Sequence, residues 1–491
     1  MVIGDHSRQG RLKQAKNVSK NRRDRRAGSG SLGRTPRLGP DTPYGMCSER
    51  LSAFGGLLAL EKFLDLVGFS ELFDRHYRSP RRKPELGCLR MVKGLLMLLF
   101  VGFHRVAHLA HLRQDPMVCG ILNVTLLPVV TTFWRYVRSL RLTQSHALLR
   151  LMAAVRSRVW ALIGFQPQRV KVDIDTTTST VYGKVEGSRK GYNPKHRGKK
   201  ALRPVLCFVN QTREYLCGKQ RRGEPLTEQD VAQQIRQMGA LLPACVKQVG
   251  VRGDAECIAW GSVKACLEMG YNFTFGNRRC TPPFPAEGWY KHGALEYNEC
   301  PYKPQRWAQA CRFVAVRIPK DQRGDRQLSL FKDEDYVYRV FVTNLDWRPH
   351  NVIADYDDHA DVENCIAEAQ HEGINAIPSK KFQANHGYFQ IVMLAYNLWR
   401  WMKLLAAHQE RQSAPAAKFE SSGAGLIADA TIRMARLKLL YIAAKVVYHG
   451  NRDRVYYSIH EDRATGILAF LGYLDRRRAV RKPWPPPPGA S

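Results

Sequence analysis

The spacing of apolar residues changes abruptly at Arg169, and this change constrains the fold more than any other feature of the chain. From Ser52 to Phe165 apolar residues recur at intervals of three and four, which predicts amphipathic helices without strands. The run from Val170 to Asp175 instead alternates apolar and polar residues and is rich in β-branched side chains, which indicates a strand. A helical segment is therefore followed by a sheet.

The sheet continues with alternating strand and helix signals. The expected order after the first strand is two strands, a helix capped at Thr227, a strand, a helix and a strand: Pro204–Val209, Tyr215–Gln220, Thr227–Leu242, Lys247–Arg252, a helix ending at Met269, and Tyr271–Phe275. The order β-β-β-α-β-α-β is that of a ribonuclease-H-like core, so we expect an α/β fold.

The remaining segments complete a domain plan around this core. Strand-like sequences near residues 313–318 and 336–343 predict a β-rich insertion. Helices are expected over 361–370, 385–405 and 428–448. The expected boundaries are 1–45 for a basic disordered arm, 46–165 for a helical, DNA-binding domain, 166–275 for the first part of the ribonuclease-H-like core, 276–347 for the insertion, 348–410 for the second part of the core, 411–475 for a C-terminal helix and hairpin, and 476–491 for a disordered tail.

The charge balance points to a polyanionic partner. Lys and Arg outnumber Asp and Glu by 77 to 43, which gives a net charge of +34, and nucleic acid is the obvious polyanion. The longest apolar run, Gly94–Phe103, spans about half a bilayer, so we expect no membrane helix and a cytoplasmic protein at the nucleoid. Twelve scattered cysteines without a C-x-x-C pair disfavour structural zinc.

Two aspartates stand at strand ends that a ribonuclease-H-like sheet would bring together. Asp175 ends the first predicted strand and Asp254 follows the fourth, and these two strands are neighbours in such a sheet. Paired carboxylates suit two Mg²⁺ ions about 3.5–4 Å apart, which Mn²⁺ can replace. Asp173 points to the same side of the strand and is an alternative first ligand, and Asp254 also fits a plain helix cap.

A third acid is expected on a helix that crosses the strand ends. Tyr356, His359, Glu363 and Gln370 are spaced at i, i+3, i+7 and i+14, which places them on one face if the helix begins that early. Glu363 is the best acid on that face. Glu368, about 140° away around the helix, is the alternative.

Basic segments offer contacts to phosphates. Residues 181–200 are dense in Gly, aromatic residues and cations, which suits DNA, although a tight basic hairpin without a ligand fits as well. The candidate DNA contacts there are Tyr182, Lys184, Arg189, Lys190, Tyr192 and Lys195. A helix capped at Thr131 or Thr132 would carry the stripe Arg135, Arg138 and Arg141, which can face phosphates or solvent. Trp307 and Trp347 can stack on a base or pack in the core.

The motifs in this order resemble the DDE transposases of bacterial insertion sequences, in the branch described as DDE domain group 1. The resemblance extends from about Asp65 to Tyr448 and is carried by Asp115-Pro116, Asp173-Ile-Asp175-Thr-Thr, Thr180-Val-Tyr-Gly-Lys-Val-Glu-Gly187, Gly191-Tyr-Asn-Pro-Lys, Arg252-Gly-Asp254, Val342-Thr-Asn344 and Leu394-Ala-Tyr-Asn-Leu-Trp399. It implies cut-and-paste movement of an element by a metal-dependent enzyme that cleaves DNA and transfers strands, with Asp175, Asp254 and Glu363 as the triad. The implied partners are the element's terminal inverted repeats, target DNA and a second copy of the chain.

One family signature is altered here. Relatives carry Tyr-x2-Arg-x3-Glu-x6-Lys around the glutamate, whereas this chain has Tyr356, His359, Glu363 and Gln370 at the same spacing. Together with Arg252, the residues Tyr356, His359 and Gln370 are the DNA contacts that the resemblance implies. Neutral side chains cannot replace the two cations, so either Lys380 and Lys381 compensate or the protein is weakened. A catalytically inactive DNA-binding protein and a plain nuclease therefore stay open as alternatives.

Overall fold

A computed structural model describes residues 38–80, 84–191, 193, 196–319, 336–412, 427–481 and 484. Two compact units are separated at Glu49: residues 1–49, whose described part (38–49) contains no helix or strand, and residues 50–491, which hold every described element. Most of the basic arm expected over 1–45 lies outside the described residues.

In the second unit, a run of helices comes first and is followed by strands and helices together. The α-helices are α1 (Leu57–Leu66), α2 (Phe69–His76), α3 (Cys88–Phe100), α4 (Leu109–Leu112), α5 (Pro116–Leu122), α6 (Val130–Ser139), α7 (Leu142–Leu162), α8 (Glu228–Leu241), α9 (Trp260–Glu268), α10 (Pro349–Asp357), α11 (Asp361–Ala369), α12 (Phe382–Gln412), α13 (Ile432–Ala435) and α14 (Ala464–Ala479). The strands are β1 (Leu51–Ser52), β2 (Arg169–Thr176), β3 (Ser179–Thr180), β4 (Arg189–Lys190), β5 (Lys200–Leu202), β6 (Val205–Val209), β7 (Glu214–Lys219), β8 (Gln248–Gly253), β9 (Asn272–Asn277), β10 (Tyr290–His292), β11 (Leu295–Tyr302), β12 (Cys311–Pro319), β13 (Tyr336–Thr343), β14 (Ala444–His449) and β15 (Arg452–Tyr457). None of the described helices is both long and apolar enough to cross a bilayer.

A nine-stranded mixed sheet organises the second unit and confirms the expected α/β class. Its strand order is β10-β11-β12-β13-β9-β8-β2-β6-β7. Strands β2, β8 and β9 run parallel, and the other pairings are antiparallel. The pairing of β2 with β8 confirms the prediction that the first and fourth core strands are neighbours. Two small sheets, β1-β14-β15 and β3-β5-β4, complete the set.

The predicted β-rich insertion extends the central sheet. Strand β13 pairs antiparallel with β9 from Val340–Asn277 to Thr343–Thr274. Without β13, that side of β9 would present a row of unpaired backbone groups, so the inserted strands gain hydrogen bonds by continuing the same sheet. The segment is rich in strands as expected, but it does not fold as a separate sheet. Residues 320–335 lie outside the described chain.

Helix α12 links the helical N-terminal segment to the sheet. On one side the ring of Trp399 stacks on that of Phe100 in α3, with the ring centroids 4.0 Å apart. On the other side its amide side chains bond the backbone of β7, the last strand of the sheet. Asn397 accepts from the Tyr215 amide and donates to the Tyr215 carbonyl, both at 2.8 Å. Gln390 donates to the Gly218 carbonyl at 2.9 Å. Three backbone groups of this edge strand are thereby satisfied by side chains of α12.

A fully buried ion pair lies at the same junction. Glu214 in β7 accepts a hydrogen bond from Arg156 Nε in α7 at 2.9 Å, and neither side chain is exposed to solvent. The indole N–H groups of Trp160 and Trp401 each donate to the same carboxylate at 2.6 Å. Arg156 also donates to the carbonyls of Tyr215 and Leu241, at 2.7 and 2.9 Å. Both charges are therefore well bonded, as burial of an ion pair requires.

Two local predictions were wrong. Helix α6 begins after Val129, with no side-chain cap from Thr131 or Thr132, because both threonines already lie inside its first turn. The helix expected over 428–448 ends near Leu440, and β14 follows. Gly450 and Asn451 both have positive φ, of 59° and 63°. Such a pair forms the tight turn that favours a hairpin, which here joins β14 to β15.

Helix α14 was not foreseen. It continues to Ala479, into the stretch where the sequence predicts a disordered tail. Its buried residues include Ile467, Phe470 and Leu474, which recur at the three- and four-residue spacing of an amphipathic helix.

We predict that breaking the Glu214–Arg156 pair destabilises the whole unit. Glu214→Gln leaves the Arg156 charge buried without its partner, which should lower the free energy of unfolding by about 3–5 kcal/mol. Urea denaturation of the full chain measures the change. Adding Arg156→Met should cost less than the sum of the two single changes, because neither charge then stays behind. The exposed pair Arg236–Glu268 is the control, since Arg236→Gln should leave the urea midpoint almost unchanged. Equal effects at the two pairs would contradict the role given to Glu214.

Candidate active site

Asp175 and Asp254 lie side by side at the ends of two parallel strands. In β2 and β8, Ile174 is paired with Gly253, so the aspartates occupy the next positions of strands that are roughly 4.8 Å apart. Gly253 permits this turn, because a Cβ there would lie 2.9 Å from the Cβ of Cys257. Burial, followed by the charge of Asp254, raises the pKa of Asp175 to about 7. Burial and a neighbouring acid therefore disfavour the ionised form of Asp175.

The local backbone fixes each aspartate. The Thr176 amide donates to Asp175 Oδ1 at 2.6 Å. Asp254 Oδ1 accepts from the amides of Glu256 and Cys257 at 3.0 and 3.3 Å, so Asp254 does cap the turn after β8. Burial, followed by the charge of Glu256, raises the pKa of Asp254. The cap fixes the orientation of this carboxylate, and the neighbouring acid makes its negative charge unfavourable.

Glu363 on α11 lies near enough to Asp175 to act on it electrostatically. Its charge contributes to the raised pKa of Asp175, after burial and Asp254. Glu363 is exposed, and its carboxylate has no hydrogen bond or ion pair with a described residue. It is thus available to a ligand at the strand ends.

The other three residues of the predicted helical face also point at these strand ends. The Tyr356 hydroxyl donates to the Gly253 carbonyl at 3.3 Å, and His359 Nδ1 lies 3.0 Å from Asp173 Oδ1. Gln370 Nε2 donates to Thr177 Oγ1 at 2.5 Å. The segment from α10 through α11 is nearly continuous helix, so the spacing correctly predicted one shared face. In this arrangement His359 and Gln370 both contact protein groups.

Asp173, the alternative first ligand, belongs to a buried network behind the site. Arg252 donates to both of its oxygens, at 2.7 and 3.0 Å, and Asn210 donates to Oδ2 at 3.1 Å. Burial would raise the pKa of Asp173, but the hydrogen bonds with His359 and Arg252 outweigh it and lower the pKa. The side chains of Arg252 and Asp173 are each only 2% exposed. Asp173 is thus occupied, and Arg252 has no surface to offer to DNA.

Glu368, the alternative third acid, has structural partners. Its carboxylate is ion-paired with Arg400 of α12 and accepts from the Ile432 amide at 3.2 Å. These contacts join α11, α12 and α13, and they leave Glu363 as the acid on the face toward Asp175.

Glu256 is a fourth carboxylate beside the site that the sequence analysis missed. It accepts from Thr176 Oγ1 at 3.1 Å and from Arg203 Nη2 at 2.9 Å, next to both aspartates. Its position two residues after Asp254 was a possible signal. Its partner Arg203 gave no signal, since it lies 53 residues away in the chain.

Several described side chains of the basic segment 181–200 are exposed. Tyr182 is 72% exposed, and Lys184, Arg189 and Lys190 are exposed as well. Arg189 forms an ion pair with Glu224 at 3.6 Å. The predicted contacts Tyr192 and Lys195 lie outside the described residues. The structure brings none of these side chains into contact with the carboxylates, so they form a separate surface.

The two candidate stacking tryptophans differ. Trp307 packs against Trp260 and Phe313, with ring centroids 5.7 and 6.0 Å away, and so belongs to the core. Trp347 is 40% exposed.

The acids fit a divalent cation by their chemistry. Repulsion from Asp254 and Glu363 contributes to the raised pKa of Asp175, and hard cations such as Mg²⁺ prefer carboxylate oxygens. Across the described residues, however, no three His, Cys, Asp or Glu side chains form a ready-made metal cluster. Exposed Glu363 is the side chain with freedom to approach the aspartates.

We predict that Asp175→Asn stabilises the metal-free protein at high pH. The folded-state pKa of Asp175 lies near 7, above that of an unfolded aspartate, so ionisation destabilises the fold as the pH rises. The asparagine variant should therefore gain up to about 4 kcal/mol at pH 8, and the gain should shrink as the pH falls from 7 toward 4. Thermal unfolding in EDTA measures it. A variant that tracks the wild type at every pH would contradict the raised pKa.

Known proteins place the chain in a family. The family described as "Transposase DDE domain group 1" matches residues 47–477. No curated protein matches the sequence. Among solved structures, the cryo-EM structure of the piggyBac transposase synaptic complex with hairpin DNA is similar over 74% of this chain and 83% of that chain, with 11% identity and a TM-score of 0.35. That likeness is too distant to carry an argument about the site. Because this match covers most of its length, the chain belongs to the transposase DDE domain group 1 family.

Proposed function

We propose that this transposase cuts and joins DNA at Asp175, Asp254 and Glu363. The observation that carries the proposal is the pair of half-buried aspartates at adjacent parallel strand ends, with Glu363 near Asp175. Burial and neighbouring acids raise the pKa of both Asp175 and Asp254, so their ionisation destabilises the metal-free fold, which suits a site that binds cations. The order β7-β6-β2-β8-β9 supports a ribonuclease-H-like core, in which the third, second, first, fourth and fifth strands are neighbours.

The protein side chains would act by holding and orienting. Two Mg²⁺ ions, or Mn²⁺, would supply Lewis-acid activation of the attacking oxygen and stabilise the leaving oxygen when bound. Asp175 and Asp254 would hold them from the sheet, and Glu363 would complete the site from α11. The network of Arg252, Asn210 and His359 around Asp173 fixes β2 and β8 relative to each other, which keeps the aspartates aligned. Asp173 and Arg252 are therefore positioning residues in this proposal.

The DNA partner follows from the charge and the family. A net charge of +34 favours a polyanion, and the exposed Tyr182, Lys184, Arg189 and Lys190 form one surface for its phosphates. We propose cut-and-paste movement of a bacterial insertion sequence, in which the protein binds both terminal inverted repeats as a homodimer and joins the freed 3′ ends to target DNA. A reaction on chromosomal DNA would take place at the nucleoid.

The contacts of His359 and Gln370 favour a second candidate function. Both stand where relatives carry cations, and both are bonded to protein groups, so neither presents a positive charge to the scissile phosphate. Lys380 and Lys381 are exposed nearby in the chain and are the cations that could compensate. Without compensation, the protein would be an inactive transposase relative that binds DNA.

We predict that plasmid cleavage depends on the three acids. With a plasmid that carries the element's own ends, Asp254→Asn and Glu363→Gln should each lower Mg²⁺- or Mn²⁺-dependent cleavage by roughly three orders of magnitude, because each removes a ligand charge. Asp358→Asn is the matched control, since this exposed acid on the same helical run pairs with Lys171 at 3.6 Å. It should cleave like the wild type.

Other outcomes separate the alternatives. A wild type that binds DNA without nicking it would favour the inactive relative. Cleavage without joining of a pre-cut end would favour a plain nuclease. Cleavage that survives in both variants would overturn the triad.

A further inference from the structure

A cationic cleft separates the junction of α6 and α7 from the start of α12. Its volume is about 740 Å³. Four of the residues that line it are positively charged: Arg135, Arg138, Arg141 and Lys381. All four are exposed, and none forms an ion pair with a described residue. Like charges in one concavity repel one another unless an anion enters, and the walls concentrate their field.

Glu186 is the one acid among the described residues that line the cleft. Its Oε2 accepts from the amide of Phe382 at 3.0 Å, at the first residue of the 31-residue helix α12. The N-terminus of a long helix attracts anions, because its first amides point outward and its dipole is positive there. An exposed carboxylate of the protein thus occupies the position that a phosphate oxygen would take.

The chain connects this cleft with the candidate active site on both sides. Thr177 follows the β2 end that carries Asp175, and the chain runs from there through β3 to Glu186. Gln370 contacts Thr177, and the chain runs from it to Lys381. The Glu186 amide donates to the Lys380 carbonyl at 2.9 Å, which joins the two segments at the cleft. A polymer bound here would therefore lie against segments that begin at the carboxylates.

We propose that the cleft binds the phosphates of a DNA duplex, and that a phosphate displaces Glu186 from the start of α12. The identity of the polyanion rests on the proposed function, whereas the anion site rests on the four unpaired cations and the capped helix end. Arginine and lysine side chains neutralise phosphates and release counterions, so each contact adds to the salt dependence of binding. Glu186 opposes binding through its charge.

The cations are tested with two matched double variants. Arg135→Gln/Arg138→Gln removes two charges from the cleft, and Arg452→Gln/Arg454→Gln removes two exposed charges from the β14–β15 hairpin. Affinity of the full chain for a fluorescein-labelled mixed-sequence duplex is measured across a salt series in Ca²⁺. The cleft variant should bind roughly tenfold more weakly, and its log–log salt slope should fall by about 2. The control should bind like the wild type. Equal weakening in both would overturn the cleft as the binding site.

Glu186→Gln tests the displacement step. The amide oxygen of Gln can still accept from Phe382, so the helix cap is kept while the charge is removed. Duplex affinity should rise several-fold. Unchanged or weaker binding would overturn the displacement of Glu186.

The same measurements separate this inference from the catalytic proposal. If the cleft variant weakens binding but the wild type does not cleave DNA, the cleft remains the binding site and the catalytic proposal is rejected. If the wild type cleaves DNA but the cleft variant binds normally, the catalytic proposal remains and the cleft is rejected. Stronger competition by single-stranded RNA than by unlabelled duplex would overturn DNA as the occupant.

Discussion

The buried pair of Glu214 and Arg156 supports the architecture on which the candidate site depends. One carboxylate binds a guanidinium and two indoles, and these donors come from two helices, α7 and α12. Removal of either charge would leave the other buried without a partner, which costs free energy. The ion pair therefore holds the two helices and β7 in fixed relative positions. The edge of the sheet is thereby fixed to α7 and α12. Strands β6 and β2 are paired onward from that edge, and β2 carries Asp175.

The site itself works against stability. Asp175 and Asp254 are half-buried acids with raised pKa values, so their ionisation costs free energy that the rest of the fold must supply. The network around Asp173 has the opposite character, because its carboxylate is matched by the Arg252 guanidinium and its pKa is lowered. Two aspartates separated by one residue in the same strand therefore have opposite roles. The charge of Asp173 is stabilised by its partners, whereas burial and a neighbouring acid disfavour the charge of Asp175.

The sequence predicted the parts of the fold that local periodicity encodes. The alternation in β2, the capping box at Thr227 and the strand signal before Asp254 were each sufficient, because apolar spacing and backbone capping act within a few residues. The nearness of Asp175 and Asp254 followed from strand order. The spacing from Tyr356 to Gln370 likewise predicted the shared helical face.

Contacts between distant residues were beyond such patterns. Glu214 meets Arg156 and Trp401 across 58 and 187 positions, and no local pattern marks an acid that will be buried. The family resemblance implied that Arg252 contacts DNA. The sequence does not show that Asp173 lies beside Arg252 on the neighbouring strand of the sheet. The strand β14 was misread as helix because its Ala and Lys favour a helix whereas its Val and Tyr favour a strand, and the Gly450-Asn451 turn decides between them.

The amide ladder of α12 along β7 has a consequence for how copies of this protein meet. A terminal strand with free N–H and C=O groups can recruit a strand from another chain, which leads to fibres or domain swapping. At β7 that route is obstructed, because Asn397 and Gln390 already bond the Tyr215 amide and the carbonyls of Tyr215 and Gly218, which a foreign strand would need. Two copies of the chain can therefore approach each other at this end of the sheet without fusing their sheets.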